Sequence, residues 1–236
     1  MSPLTTPQSP RRRRPSNKLL QAASMFALPL TPTGRWSRRV AAPPTAIWAR
    51  DAAAALDAAL KPGQIAFLTG PSGSGKSTLL RALERRLGPR VMHARTLDLR
   101  DPRPLIDLLD LPLDAALALL ARAGLAETLL LARPPHQLSE GERARAALAC
   151  LLARAARQPT QRRSTTLLID EFASTLDRIT AASVARTLRR SISTPGTRGG
   201  RLRLVAATAH DDLLEALAPD LLVEVPLAAP PRMWTR

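Results

Sequence analysis

Gly70-Pro71-Ser72-Gly73-Ser74-Gly75-Lys76-Ser77-Thr78 is the stretch that decides how this chain folds, and it fits G-x-x-x-x-G-K-S in full. It follows Ile65-Ala66-Phe67-Leu68, a short apolar run introduced by the turn Lys61-Pro62-Gly63. It leads into Ser77 to Leu87, where Leu79, Leu80, Ala82 and Leu87 carry the apolar pattern of a helix. Strand, glycine-rich loop and helix in that order make a phosphate cradle. Glycines let the backbone curl so that successive N–H groups face one point, and the helix N-terminus adds its dipole. In such a loop Gly70 to Thr78 wrap the phosphates of a nucleoside triphosphate, Lys76 reaches the outer two, and the Ser77 hydroxyl ligates Mg²⁺.

Further along, Val91 to Leu99 has the look of a second strand, and Pro102 to Leu131 reads as mostly helical, punctuated by Pro104 and Pro112. Glu140 to Arg157 reads as a long helix, Thr165 to Ile169 as a buried strand and Thr180 to Arg190 as a helix. A Gly/Pro-rich loop at 193–200 precedes strands at Leu202–Ala207 and Leu221–Val225. Strands alternating with helices predict a mostly parallel sheet covered on both faces. The expected boundaries are a basic, disordered tail at 1–47, a folded domain at 48–228 with a helical subdomain at about 100–157, and a C-terminal tail at 229–236.

The 236 residues suffice for one sizeable α/β domain, and no apolar run reaches the ~20 residues that span a bilayer. Direct membrane insertion is therefore not expected. A single cysteine, Cys150, excludes an internal disulfide and suits a reducing, cytoplasmic compartment; it falls in an apolar pattern, as a small buried hydrophobe would. The net charge is +16, but the first 50 residues hold nine basic and no acidic side chains, leaving +7 for the other 186. Nucleic acid is thus a partner only through this basic tail, and Arg enrichment alongside Ala and Pro has a compositional explanation as well.

Asp170-Glu171 ends the apolar run Leu167-Leu168-Ile169, so two carboxylates emerge at a strand tip. Phosphoryl transfer needs one carboxylate for Mg²⁺ and another to orient or deprotonate the attacking water; Asp170 suits the first role and Glu171 the second. Leu138-Ser139-Glu140-Gly141-Glu142 opens the long helix, and Ser139 with Glu142 also matches a capping box. With Ser174-Thr175-Leu176-Asp177 and with His210 after the strand at 202–207, this stretch resembles the motif set of ABC-type ATPases, whose signature is usually written LSGGQ. The resemblance covers roughly residues 48 to 225, with every motif in the family's order.

That resemblance implies an α/β P-loop NTPase fold of the ABC type, with a mostly parallel sheet and a short helical subdomain, and implies ATP hydrolysis with Mg²⁺. It further implies a homodimer that sandwiches two ATP molecules. Ser139 and Gly141 of one copy would face the phosphate loop of the other, His210 would contact the γ-phosphate and the catalytic water, and Asp177 would couple the two sites. An aromatic residue upstream would stack on adenine; Trp48, 28 positions before Lys76, is the candidate, with packing as its alternative role.

The departures carry information too. No glutamine lies between Ser77 and His136, so the family's Q-loop residue is missing; Asp107 lies near its expected place. Glu140 and Glu142 replace Gly and Gln of the signature, and Phe172 stands where proline is common. The pattern is similar to a stand-alone prokaryotic group of ABC ATPases, often joined to a predicted acetyltransferase domain, of which only the ATPase part is recognisable here. The expectation is a soluble ATPase that drives an unidentified effector protein. The alternative is the ATP-binding subunit of a membrane transporter.

Overall fold

The computed structural model describes residues 44–94, 97–157, 164–193, 202–209, 212–227 and 229–236. Most of the expected tail, 1–43, lies outside the described residues. The elements run α1 (Pro44–Ala59), β1 (Ile65–Thr69), α2 (Lys76–Leu87), β2 (Val91–His93), α3 (Leu113–Arg122), α4 (Thr128–Leu131) and α5 (Glu140–Arg157). They continue with β3 (Thr165–Ile169), α6 (Arg178–Ser193), β4 (Leu202–Ala207), α7 (Leu214–Leu217), β5 (Leu221–Glu224) and β6 (Arg232–Thr235).

Among the described residues six strands form one sheet in the order β2-β3-β4-β1-β5-β6. All neighbours are parallel except β5 and β6, which are antiparallel. The register sets Leu68 beside Ala207 and Val223, and Ile169 beside Ala206, so β1, β3, β4 and β5 end at one edge of the sheet. That edge is where ligands bind in open α/β sheets.

The strands read as continuous apolar runs because both faces are covered. Alternation sends Ile65 and Phe67 to a cluster with Leu148, Leu151, Val184 and Leu188 of α5 and α6. It sends Ala66 and Leu68 to the opposite cluster, with Ala53 and Leu56 of α1 and Leu79 and Leu83 of α2. Truncating a fully buried side chain such as Phe67 to Ala would cost about 3–5 kcal/mol. A third cluster holds Leu105, Leu109, Leu120, Leu125 and Leu138 against Ala146, Ala149 and Ala153. α5 thus presents Leu148, Leu151 and Ala155 to the sheet and its small alanines to the helical region. Cys150 packs beside that third cluster, and burial pushes its thiol up to about 11.

A charged network crosses the second core. Arg203, 5% exposed in the middle of β4, donates from Nε to Thr166 Oγ1 at 3.0 Å and from Nη1 to Asp57 Oδ1 at 3.0 Å and Leu60 O at 3.1 Å. Asp57 also accepts from Arg86 Nε at 3.0 Å, so α1 is tied to both the sheet and α2. Burial pushes the Asp57 carboxyl up, but hydrogen bonds from Arg203 and then Arg86 outweigh it and hold the group below its usual range.

Three expectations need correction. Residues 229–236 are not simply a tail, because Arg232–Thr235 pair with β5 and Met233 packs on the second core. The strand expected over Val91–Leu99 is only Val91–His93 among the described residues. Beyond it Asp98 Oδ1 accepts from Arg100 N and Asp101 Oδ1 from Arg103 N, two local turns that compete with strand pairing. The region after Pro102 is less helical than expected: a 3₁₀ turn at Leu105–Leu109 precedes α3 and the single turn of α4.

Candidate nucleotide site

The phosphate loop leaves β1 at Thr69 and closes into α2 at Lys76. Gly70 is required: a Cβ there would lie 2.2 Å from Val225 O, where the end of β5 supports the loop. Gly73 and Gly75 have φ of 77° and 105°, left-handed values that suit glycine. Gly75 is the N-cap of α2 and no side chain caps this helix start, so its first-turn N–H groups are available to an anion. Inside the loop the Ser74 hydroxyl is buried with no partner, and Ser74 N donates to Pro71 O at 3.2 Å.

Lys76 Nζ donates to Gly70 O at 2.6 Å and Pro71 O at 2.9 Å, which folds its side chain back over the loop. Burial lowers its pKa, while the negative charges of Asp170 and Glu171 act the other way. Electrostatically, Lys76 and both carboxylates belong to one site. Asp170 and Glu171 are exposed at the tip of β3, after the buried Ile169. Phe172 N donates to Ala207 O at 2.8 Å and pins the following turn to β4. Glu171 and Ala173 hold φ of 52° and 58°, a strained backbone that re-aims the chain just past the strand.

Two contributors were missed by sequence reasoning. Thr208 is buried at the tip of β4, between the strand of the phosphate loop and that of Asp170, and its N–H donates to Leu68 O at 3.1 Å. Its signal was a polar residue directly after an apolar run. Val225, which braces Gly70, carries no local signal.

The Ser139 turn is closed on itself. Ser139 N donates to Glu142 Oε2 at 2.7 Å and Glu142 N donates to Ser139 Oγ at 3.3 Å, the expected capping box. Since Ser139 Oγ accepts the amide, its own proton is left to donate outward. Gly141 lies against the segment after β3: a Cβ would be 3.4 Å from Leu176 Cδ2. A cavity of about 480 Å³ separates the start of α5 from the β3 tip, lined by Glu140, Arg143, Asp170, Glu171, Thr175 and Leu176 among others. No residue of Gly70–Thr78 lines it.

Asp177 N-caps α6, with Thr180 N donating to its Oδ1 at 2.9 Å; hydrogen bonds from Thr180 hold the carboxyl below its usual range. Trp48 is half-buried against the second core, the packing role left open for it. Asp107 is exposed on the 3₁₀ turn and does not line the cavity at Glu171. His210 lies outside the described residues. Among the described residues no three His, Cys, Asp or Glu side chains cluster as a metal site. The oxygen donors Ser77 and Asp170 suit Mg²⁺ that arrives with nucleotide phosphates, since Mg²⁺ commonly takes one or two protein oxygens and completes its shell from substrate and water.

A Gly-rich loop feeding an uncapped helix, beside strand-tip carboxylates on a mostly parallel sheet, defines a P-loop ATPase. Residues 50–205 match the AAA ATPase domain family, and the chain belongs to that family. Over 151 residues it is 39% identical to the aliphatic sulfonates import ATP-binding protein SsuB of Delftia acidovorans, covering 56% of this chain and 58% of that protein. The chain thus spans less than two thirds of that relative's length. In fold it is similar to a nucleotide-free ATP-binding cassette from an ABC transporter, with a TM-score of 0.50, 14% identity, and coverage of 72% of this chain and 81% of the other. The expected α/β P-loop fold and ATPase class hold, and relation to ABC ATP-binding subunits is supported.

Proposed function

We propose that this protein binds and hydrolyses ATP with Mg²⁺ as a nucleotide-sandwich homodimer, and that it works in the cytoplasm as a soluble, stand-alone ABC-type ATPase that drives an unidentified effector protein. The observation that carries the reading is a glycine loop that leaves β1 for an uncapped helix start, with Asp170 and Glu171 at the tip of β3 on the same end of the parallel sheet. The loop N–H groups and Lys76 would hold the β- and γ-phosphates, with Lys76 leaving the carbonyls of Gly70 and Pro71. Mg²⁺, held by Ser77 and Asp170, would neutralise charge on the transferred phosphoryl group. Glu171 would orient and deprotonate the attacking water, and His210 would meet the γ-phosphate. Trp48 would stack on adenine with the part of its ring left exposed.

Of the Ser139 turn only Glu140 lines the cavity that holds Glu171, and no residue of the phosphate loop lines it. This supports Ser139 and Gly141 acting on nucleotide held by a second copy, with Asp177 coupling the sites. Among the described residues no helix is long and apolar enough to cross a membrane. The decisive variant is Glu171→Gln, measured by size exclusion with light scattering and by phosphate release. It should bind ATP, lose most turnover, and shift from monomer to dimer only with Mg-ATP. Unchanged turnover would remove Glu171 from the base role, and an ATP-bound monomer would remove the homodimer.

A second reading, the ATP-binding subunit of a membrane importer, is favoured by the likeness to SsuB. It requires a membrane partner to dock near residues 100–125, where the missing glutamine leaves a changed surface. Full, partner-independent turnover of the purified chain would argue against it.

A further inference from the structure

α3 has too little polarity for the place it occupies. Eight of its ten residues are Leu or Ala, and the other two are Asp114 and Arg122. A helix that is apolar all round is normally buried on every side. Here only Ala116 and Leu120 are buried, in the third cluster, with Leu119 packed against it. Asp114, Ala118, Ala121 and Arg122 are exposed, and so are Leu113 and Leu117, at 63% and 38%. None of these residues lines the cavity at Glu171, so the open face is separate from that part of the nucleotide site.

The two ends of this face carry opposite charge. Beside Leu113, at the start of α3, a cleft of about 510 Å³ is lined by Asp107 and Asp110 and by no basic side chain. Asp110 is committed to Arg157, which leaves Asp107 and Asp114 as the acidic end. The last turn carries Arg122 and no acid. Among the described residues neither Asp114 nor Arg122 has an ion-pair partner. The two are eight positions apart along the helix, about 12 Å, with Ala118 midway between them.

That spacing makes the face complementary to itself. Two such helices laid antiparallel across a two-fold axis at Ala118 set Asp114 of each copy opposite Arg122 of the other. A parallel arrangement would set like charges together. Ala118 and Ala121 are short enough to let the backbones approach, and contact would take Leu113 and Leu117 out of water.

We propose that α3 is a self-association surface whose occupant is α3 of a second copy of this chain, antiparallel and joined by two Asp114–Arg122 pairs. The contact needs no nucleotide, so it stands or falls apart from the ATP-dependent dimer proposed above.

The test is sedimentation equilibrium of the full chain at low salt, without nucleotide or Mg²⁺. Wild type should pass from monomer to dimer as its concentration rises. Asp114→Arg and Arg122→Asp should each weaken that dimer about tenfold or more, because each turns both attractive pairs into repulsive ones. The two variants shift the net charge in opposite directions, so weakening by both does not come from overall repulsion. An equimolar mixture of the two should recover the dimer, since every contact in the mixed pair again joins opposite charges. Both positions are exposed, and each variant should melt close to wild type. Single variants that dimerise like wild type would overturn the proposal, as would a mixture that fails to recover. A wild type that stays monomeric would overturn it as well; flotation with phosphatidylglycerol vesicles, lost in Leu117→Glu, would then give the face to a lipid surface.

Discussion

The starts of α2 and α5 are both helix N-termini proposed to meet ATP, yet they are built in opposite ways. α2 begins at a left-handed glycine with no side-chain cap, and the loop before it encloses a buried, unpartnered Ser74 hydroxyl. α5 begins with a reciprocal cap in which Ser139 and Glu142 satisfy each other's amides. An uncapped helix start forgoes about 1 kcal/mol of stability, and at α2 it leaves the first-turn N–H groups open to a ligand. A capped start is complete without any ligand and offers a visitor one outward hydroxyl. On the proposed reading the phosphate loop would be the primary binding element, and the Ser139 turn a preformed surface that meets nucleotide already bound.

The largest effect that follows is on Lys76. Lys76→Ala removes the one charged side chain of Gly70–Thr78, proposed above to hold phosphate, and losing one partner of a charged, hydrogen-bonded pair typically costs about 2–5 kcal/mol. At 1.4 kcal/mol per tenfold, ATP affinity should fall by about 30-fold to over 1,000-fold in a direct titration with a fluorescent ATP analogue. Near-normal affinity would break the comparison at its stronger end, because the uncapped helix would then owe its form to something other than nucleotide.

This contrast between the two helix starts was partly legible beforehand. The phosphate loop, Asp170-Glu171 and the capping box are local chemistry, in which neighbours along the chain supply both donor and acceptor. What was not legible depends on distant partners. Val225 fixes the need for glycine at position 70 from the far end of the sheet. Arg203 looks like an interruption in Leu202–Ala207, until Asp57 and Thr166 supply its partners from α1 and β3. β6 has four residues after Pro230-Pro231, too few to show an alternation, and only its pairing to β5 identifies it. The strand at 91–99 was overextended because the turns at Asp98 and Asp101 are hydrogen-bonding events in a sequence that otherwise alternates.

A pair of variants at α5 sharpens the comparison with a smaller effect. Ser139→Ala and Glu142→Ala each break the capping box, and each should lower stability to urea by about 1 kcal/mol. Only Ser139→Ala removes the hydroxyl that donates outward. Turnover under dimerising conditions should therefore fall about tenfold or more further in Ser139→Ala than in Glu142→Ala, the scale of one charge-assisted hydrogen bond at ~1.5–3 kcal/mol. Equal turnover in the two would mean that the turn acts through its backbone alone.

The smallest effect is on pH. The Glu142 carboxyl is held below its usual value chiefly by the Ser139 N–H, with burial opposing. A carboxylate whose folded pKa is depressed stabilises the fold above its unfolded value, about 4.3, and that contribution fades as pH falls through the folded value. Glu142→Gln keeps an oxygen acceptor and loses only the charge at the start of α5. Its melting temperature should sit about 1–4 °C below wild type from pH 8 to 5, since a first-turn charge contributes ~0.3–1 kcal/mol in a domain of this size. The gap should close as both proteins are taken below about pH 4. Added salt should narrow it at neutral pH, because the group is partly exposed and screened. A gap that persists at pH 3 and in high salt would show that shape and not charge closes this helix start. The distinction from α2 would then rest on the hydrogen bonds of Ser139 alone.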